Sequence, residues 1–271
     1  MRRQTSIVHR SGGVSNGRFP DAGEFFKPDF RTYSTTELCE FVQRGHILEC
    51  ELIPWGSNYT FLATLDVGQP APLLGIYKPR RGEAPLWDFP DGTLYKREYA
   101  AFLFSEALGW QLVPPTVMRQ GPKGIGTMQL YIHHQREDAD YFSLRDRHTH
   151  ELQAMAVFDL IANNTDRKGG HCIRSEDGHI WGIDHGLTFH HHPKLRTVIW
   201  DFGGAHVPGS LLQDIRRVCC ELEAQQGLVQ VFGQLLAPIE IEALIKRMQY
   251  MLAHPELPCL QTRRGVPWPF Y

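Results

Sequence analysis

The chain has 271 residues, 42% of them hydrophobic, with a formal net charge of −2, enough apolar material for one large domain or two lobes around a cleft. That charge balance offers no basic field, so DNA and RNA are excluded as partners. No apolar run approaches the ~18 residues that span a bilayer, the basic start Met1-Arg2-Arg3 lacks an apolar signal core, and six cysteines without CxxC spacing predict reduced thiols in a cytoplasmic protein.

Residues 1–32 are rich in Arg, Gly, Ser and Pro and read as a mobile tail. Its basic excess leaves a peripheral contact with an anionic membrane surface open. Ser34-Thr35-Thr36-Glu37 has the spacing of a capping box and opens a helix over 38–43, which Gly45 ends. His46–Ile53, Tyr59–Leu65 and Leu73–Pro79 are strands, with the turn Pro54-Trp55-Gly56-Ser57-Asn58 between the first two. Such a Gly/Ser turn can offer backbone N–H groups to phosphates, although an ordinary hairpin has the same pattern. Lys78 sits among apolar neighbours, where an ammonium needs a partner. After a loop over 85–92, Lys96–Gly109 is a helix whose apolar face is Tyr99, Phe102, Leu103 and Leu108. Glu98 lies in its first turn, where the helix dipole alone would favour it; with Lys78 nearby, an ion pair is the preferred reading.

Val113–Val117 and Gly126–Ile132 are two further strands, the second leading into a hinge. The first lobe spans 33–132 and the second 133–271. Ser143–Asn163 is helical. A polar loop over 165–170 follows, then short strands at Cys172-Ile173 and Ile180–Ile183 joined by the turn Ser175–Gly178. Asp184 ends the second strand, before His185-Gly186. His190–Pro208 has few helix signals and is a mobile or substrate-facing segment. Leu211–Leu228 and Ile239–Ala253 are amphipathic helices separated by Pro238, and the aromatic stretch Val266–Tyr271 docks on the body.

Spacing turns the central stretch into chemistry. Phosphoryl transfer needs an acid near the attacking hydroxyl and ligands for a metal that neutralises the phosphates. Asp166 is followed five positions on by His171, and Asp184-His185-Gly186 follows the hairpin. A tight hairpin brings Asp166, His171 and Asp184 to one mouth. Asp201-Phe202-Gly203 spells a protein-kinase metal motif, but it lies too far from Asp166 for one short hairpin, so the metal role falls to Asp184. Gly121–Gly126 has phosphate-loop glycines without the strand–loop–helix context. His185 and His190-His191-His192 invite a zinc reading, but consecutive histidines rarely converge on one ion, and a solvated or substrate-contacting loop is preferred.

Taken in order, Gly56–Phe61, Gly75–Pro79, Arg97–Leu103, Val113–Thr116, Gln129–Tyr131, Asn164–Arg167 and Ile183–Phe189 resemble the phosphatidylinositol 3-/4-kinase superfamily. The chain looks most like the type II phosphatidylinositol 4-kinases and their bacterial relatives, with HipA-type kinases more distant. The resemblance implies that Gly56, Ser57 and Asn58 cover the nucleotide phosphates. Lys78 would bind them and pair with Glu98, and Gln129, Leu130, Tyr131 and Ile132 would line the adenine slot. Asp166, with Arg167 beside it as a second catalytic residue, would serve the acceptor hydroxyl. His171 and Asp184 would hold the metal. The family usually carries Asn where His171 stands, which points toward Mn²⁺ over Mg²⁺, because imidazole suits softer ions. The family's cysteine-rich acylated segment has no counterpart here, which leaves the acceptor open among lipid, protein and small molecule.

The expectation is an α+β, bilobal protein-kinase-like fold with an antiparallel-sheet N-lobe and a mainly helical C-lobe. It would use ATP and Mg²⁺ or Mn²⁺ to phosphorylate a hydroxyl acceptor. A nucleotide-binding module without transfer activity and a protein nucleotidyl transferase are the alternatives.

Overall fold

The first half of the chain builds a five-stranded sheet in a computed structural model that describes residues 25–54, 56 and 58–271. The strands are β1 (His46–Ile53), β2 (Thr60–Asp66), β3 (Leu73–Pro79), β4 (Thr116–Gly121) and β5 (Gly124–Leu130). All pair antiparallel in the order β1-β2-β3-β5-β4. Helix α1 (Thr35–Arg44) is opened by the expected capping box: the Glu37 N–H donates to Ser34 Oγ at 3.3 Å, and the Ser34 N–H to Glu37 Oε2 at 2.8 Å. Its Leu38 and Val42 join Phe61, Leu65, Leu73, Tyr77 and Met128 in the N-lobe core. Arg119 of β4 donates to the Val42 and Gly45 carbonyls at 2.8 and 2.9 Å and so closes the other end of α1.

Strands β4 and β5 begin and end away from their expected limits. Pro114 and Pro115 lack the N–H a ladder needs, so β4 starts at Thr116. The glycine run 121–126 is the hairpin between β4 and β5, with Gly121 opposite Gly124. Gly126 stands against Pro79 in the β3–β5 register, where a Cβ would come 2.6 Å from the Pro79 Cα.

The second lobe is helical around one large core. Its helices are α3 (Tyr141–Leu144), α4 (Thr149–Ala162), α5 (Gly209–Glu223), α6 (Leu228–Leu235) and α7 (Pro238–Ala253). Helix α2 (Leu94–Leu108) lies between the lobes, touching β4 and β5 on one side and α5 and α6 on the other. Gly109 ends it in the left-handed conformation at φ +76°. The short strands β6 (Cys172–Arg174) and β7 (Ile180–Gly182) form the expected hairpin. None of the helices is long and apolar enough to cross a membrane among the described residues.

Three expectations change. The helix read over 143–163 is two helices, because Arg145-Asp146-Arg147-His148 offers nothing apolar to bury. The helix read over 211–228 stops at Glu223: Gln225 and Gly227 turn the chain at φ +57° and +54°, and α6 follows. Within the stretch read as a tail, residues 1–24 lie outside the described residues, and 25–32 pack on the body. The Phe26 N–H donates to the Pro72 carbonyl at 2.8 Å, and the Phe30 ring lies 4.8 Å from Trp181.

Candidate active site

Both lobes contribute to a cavity of about 660 Å³. From the N-lobe come Gly56, Asn58, Lys78, Glu98 and Gln129–Ile132; from the C-lobe come Asp166, Lys168, His171 and Asp184. Ile53, Ile76, Ile173, Ile183 and Leu187 give the cleft apolar walls.

Strand β3 aims Lys78 into this space, and α2 brings Glu98 to meet it. Lys78 Nζ donates to Glu98 Oε1 and, at 2.8 Å, to Asp184 Oδ1. The other oxygen of Glu98 accepts the His185 N–H at 3.0 Å, so one buried carboxylate ties the N-lobe lysine to the segment after β7. Burial works against the charge of Lys78, but Asp184 and Glu98 outweigh it and raise its pKa. Desolvation likewise opposes the charge of Asp184, and Lys78 and His171 overcome it and hold the carboxyl well below the usual range. Asp184 adopts φ +60°, a left-handed conformation that Asp tolerates better than most residues and that is enriched at functional positions.

His171 Nε2 lies 3.5 Å from Asp184 Oδ2. Burial pushes the His171 pKa down to about 4, so the imidazole is neutral near pH 7; its Nδ1 accepts the Lys168 N–H at 3.4 Å, and Nε2 is the nitrogen turned toward Asp184. Among the described residues no group of three or more His, Cys, Asp and Glu is placed to hold a metal ion. Two ligands, one imidazole and one carboxylate, suit an ion that takes its remaining ligands from water and substrate phosphates. The donor set therefore fits a divalent cation that arrives with a nucleotide.

Asp166 lines the same cleft from the loop between α4 and β6. Desolvation raises its pKa against the pull of Lys168, whose Nζ lies 3.0 Å from Asp166 Oδ2. Lys168 was not among the residues singled out from sequence. Its position two residues from Asp166 in an extended loop was the available signal, since such spacing returns a side chain to the same side. Asn164 holds the loop: its Oδ1 accepts the Asp166 N–H at 3.0 Å, and its Nδ2 donates to Asp159 Oδ1 at 2.9 Å.

Arg167, expected to be catalytic, turns the other way. Its side chain is 0% exposed. It donates to Asp159 Oδ2 and Oδ1 at 2.8 and 2.9 Å, to the His171 and Ile183 carbonyls at 3.1 and 2.9 Å, and to His185 Nε2 at 2.6 Å. Burial and the neighbouring Arg167 push the His185 pKa well down, which leaves its ring neutral and able to accept. Arg167 is therefore a positioning residue that joins α4, the loop of Asp166 and the end of β7.

Other expected site residues divide similarly. Gly56 sits in the β1–β2 turn at φ +113°, which side-chain-bearing residues rarely adopt. Asn58 borders the cleft, but its Oδ1 accepts the Ala84 N–H at 2.7 Å and anchors the turn. Ser57 lies outside the described residues. Gln129 lines the slot while its Nε2 donates to Thr116 Oγ1 at 2.8 Å. Leu130, Tyr131 and Ile132 line the cleft as well. Asp201 is away from the cleft, accepting from the Tyr141 hydroxyl and pairing with Arg145 at 3.6 Å. His190 spends its ring nitrogens on the Asp88 carbonyl at 2.9 Å and the His192 N–H at 3.0 Å. The segment read as mobile or substrate-facing braces the loop of Asp166: the Arg167 N–H donates to the Arg196 carbonyl and the Val198 N–H to the Arg167 carbonyl, at 3.0 and 3.1 Å.

A sheet lobe and a helical lobe closing on a Lys–Glu pair and two facing carboxylates define a protein-kinase-like protein. Comparison agrees: the family described as phosphatidylinositol 3- and 4-kinase matches residues 116–249. Protein Rv2133c of Mycobacterium tuberculosis is 38% identical, with 79% of this chain and 88% of that protein covered. Two crystal structures of the Golgi casein kinase share the fold at TM-score 0.52: one is 14% identical over 84% of this chain and 75% of the other, and the second, with Mn/ADP bound, is 12% identical over 90% and 81%. The chain belongs to the phosphatidylinositol 3-/4-kinase-like superfamily.

Proposed function

We propose that the protein is an ATP- and divalent-metal-dependent phosphotransferase that moves the γ-phosphoryl group of ATP to an acceptor hydroxyl. The observation that carries this reading is the convergence of Lys78, Glu98, His171, Asp184 and Asp166 on one cleft, with the Lys78–Glu98 pair closed. The Golgi casein kinase, which has this fold, was solved with Mn/ADP bound. The apolar walls and the hinge residues Leu130–Ile132 suit a flat base. Lys78, fixed by two carboxylates, and Lys168, paired with Asp166, would be the cations available to the phosphate oxygens. His171 and Asp184 would hold the cation, which supplies charge neutralisation at the phosphates.

In the transfer, the acceptor oxygen bonds to the γ-phosphorus and the bond to the β–γ bridging oxygen breaks. ADP leaves, and the acceptor proton passes to Asp166. Burial raises the proton affinity of Asp166 and favours its work as a base, while Lys168 keeps it ionised until the hydroxyl arrives. Most of the acceleration would come from positioning and charge neutralisation.

The test is a thermal melt with and without ATP plus Mg²⁺ or Mn²⁺, followed by transfer from γ-labelled ATP. A ligand at about 100 times its dissociation constant stabilises by about 2.7 kcal/mol, a rise of about 5–10 °C for a chain of this size. Asp184→Ala should abolish the metal-dependent part. Asp166→Asn should keep the shift and lower turnover about 10²–10⁴-fold. A shift without transfer to any acceptor favours a binding module, and label from the α-phosphate favours nucleotidyl transfer.

A further inference from the structure

The segment 266–271 is built into this same cleft. The Gly169 N–H, three residues beyond Asp166, donates to the Phe270 carbonyl at 2.8 Å. The Phe142 ring of α3 meets the Phe270 ring edge-on at 6.2 Å and the Tyr271 ring at 5.2 Å. Trp200 Nε1 donates to the Gly265 carbonyl at 3.2 Å and fixes the start of the segment. Glycine is required at 169 for this approach: a Cβ there would lie 2.8 Å from the Phe142 ring and 3.4 Å from the Phe270 carbonyl oxygen. Pro269 and Tyr271 consequently line the cleft beside Asp166, Lys168 and Gly170.

These anchors lie on the C-lobe, around the loop that carries Asp166. The groups assigned to the nucleotide come mainly from the other side, from β3, α2 and the hinge. The segment therefore borders the space through which an acceptor must reach Asp166, and it faces that space with a proline and an aromatic ring.

We propose that residues 266–271 form the acceptor-side wall of the cleft, shielding the γ-phosphate from bulk water and admitting only an acceptor that seats against Pro269 and Tyr271. This rests on the phosphotransferase reading. With the wall loosened, water takes the acceptor's place. Its oxygen bonds to the γ-phosphorus, the bond to the bridging oxygen breaks, ADP leaves, and the water's proton passes to Asp166.

The experiment uses the full chain, with Phe270→Ala as the main variant because Phe270 is already 37% exposed and its loss leaves the core intact. Phe142→Ala loosens the same anchor from the other side. Two quantities are read: ADP affinity with Mn²⁺ by calorimetry, and phosphate release from ATP with no acceptor added. The expected result is a rise in phosphate release of about tenfold, equivalent to about 1.4 kcal/mol of barrier, with ADP affinity within about twofold of the natural sequence. Unchanged or slower release at unchanged ADP affinity overturns the wall. A fall in ADP affinity without faster release also overturns it, by assigning the segment to the nucleotide. If the natural sequence itself binds no ADP with any metal, the phosphotransferase reading fails and the wall fails with it.

Discussion

Arg167→Lys separates a positioning residue from a catalytic one. The guanidinium is wholly buried, with five hydrogen bonds on five acceptor atoms in four residues. An ammonium has three donors on one nitrogen and cannot reproduce the planar fork to Asp159. Three donors cannot serve five acceptor atoms, so at least two of them lose this donor, although the His171 carbonyl keeps the Ile183 N–H and Asp159 Oδ1 keeps the Asn164 amide. The charge is retained, so the cost is that of buried groups losing a hydrogen bond, about 1–3 kcal/mol each and about 2–6 kcal/mol for two. At about 2–4 °C per kcal/mol for large domains, the unfolding midpoint should fall by about 4–24 °C.

The assay is calorimetry of the ligand-free chain, with turnover then measured well below the lowered midpoint. Stability and turnover should fall together, because the two carbonyls belong to His171 and to Ile183, beside Asp184. A residue that merely touched substrate would lower turnover and leave the midpoint alone. A midpoint within about 1 °C of the natural sequence, with turnover lost, would refute the buried-anchor reasoning. Asp159→Asn gives an independent check, since it keeps one acceptor oxygen but removes the charge, and it should destabilise in the same direction.

Gly126→Ala should destabilise by about 1–3 kcal/mol, the usual range for overpacking, because the new methyl meets the Pro79 Cα and the Lys78 carbonyl oxygen rather than a movable side chain; a urea titration that leaves the midpoint unchanged would show that β3 yields freely. Stability should also fall on acidification. Burial and the charge of Lys27 push His133 down to about 4, and burial with Arg167 lowers His185. Both stay neutral in the fold while the unfolded chain takes protons near pH 6.5, so the unfolded state binds more protons between about pH 6.5 and 4 and stability declines across that window. Urea midpoints at pH 7.5 and 5.0 measure this, His133→Asn should flatten part of the slope, and a level profile would contradict the assignment. Finally, His171→Asn should move metal preference from Mn²⁺ toward Mg²⁺; equal activity with both ions in both proteins would remove His171 from the ligand set.

Much of the N-lobe was legible because its signals are local. Apolar runs bounded by turn residues delimit β1 and β3, and Ser34 with Glu37 announces α1 before any tertiary contact is known. Lys78 was conspicuous alone, an ammonium among apolar residues, whereas Glu98 suits a helix N-terminus on its own and became readable as a partner only with Lys78 beside it. Arg167 follows the opposite logic. Next to Asp166 in sequence it looks like its companion, yet Asp159 and His185, which claim its guanidinium, come from α4 and from beyond β7. No spacing rule encodes that convergence. The break between α3 and α4 was readable in principle, since Arg145–His148 interrupts the apolar pattern, but charged residues sit comfortably on exposed helix faces and the pattern resumes in phase.

Helix α2 shows how the local and the long-range parts combine. It has no side-chain cap from its own N-cap residue; instead Glu83, from the loop after β3, accepts the Leu94 and Tyr95 N–H groups at 3.1 and 2.8 Å. Arg97 donates to Glu240 of α7 at 2.6 Å and to the Thr188 carbonyl at 2.8 Å, with its guanidinium carbon 4.8 Å from the centre of the Phe89 ring. Burying Arg97 and Glu240 together costs desolvation that their attraction only partly offsets, so net stability is a poor explanation for the pair. Orientation is a better one. Arg97 and Glu98 are adjacent on the helix and point roughly 100° apart, so fixing Arg97 against the C-lobe fixes the direction in which Glu98 meets Lys78. The helix is held from both lobes, and the Lys78–Glu98 contact is complete in the bare chain. A nucleotide would therefore enter a cleft whose cationic arm is already set, and the reorganisation cost would fall on the β1–β2 turn and the acceptor side instead.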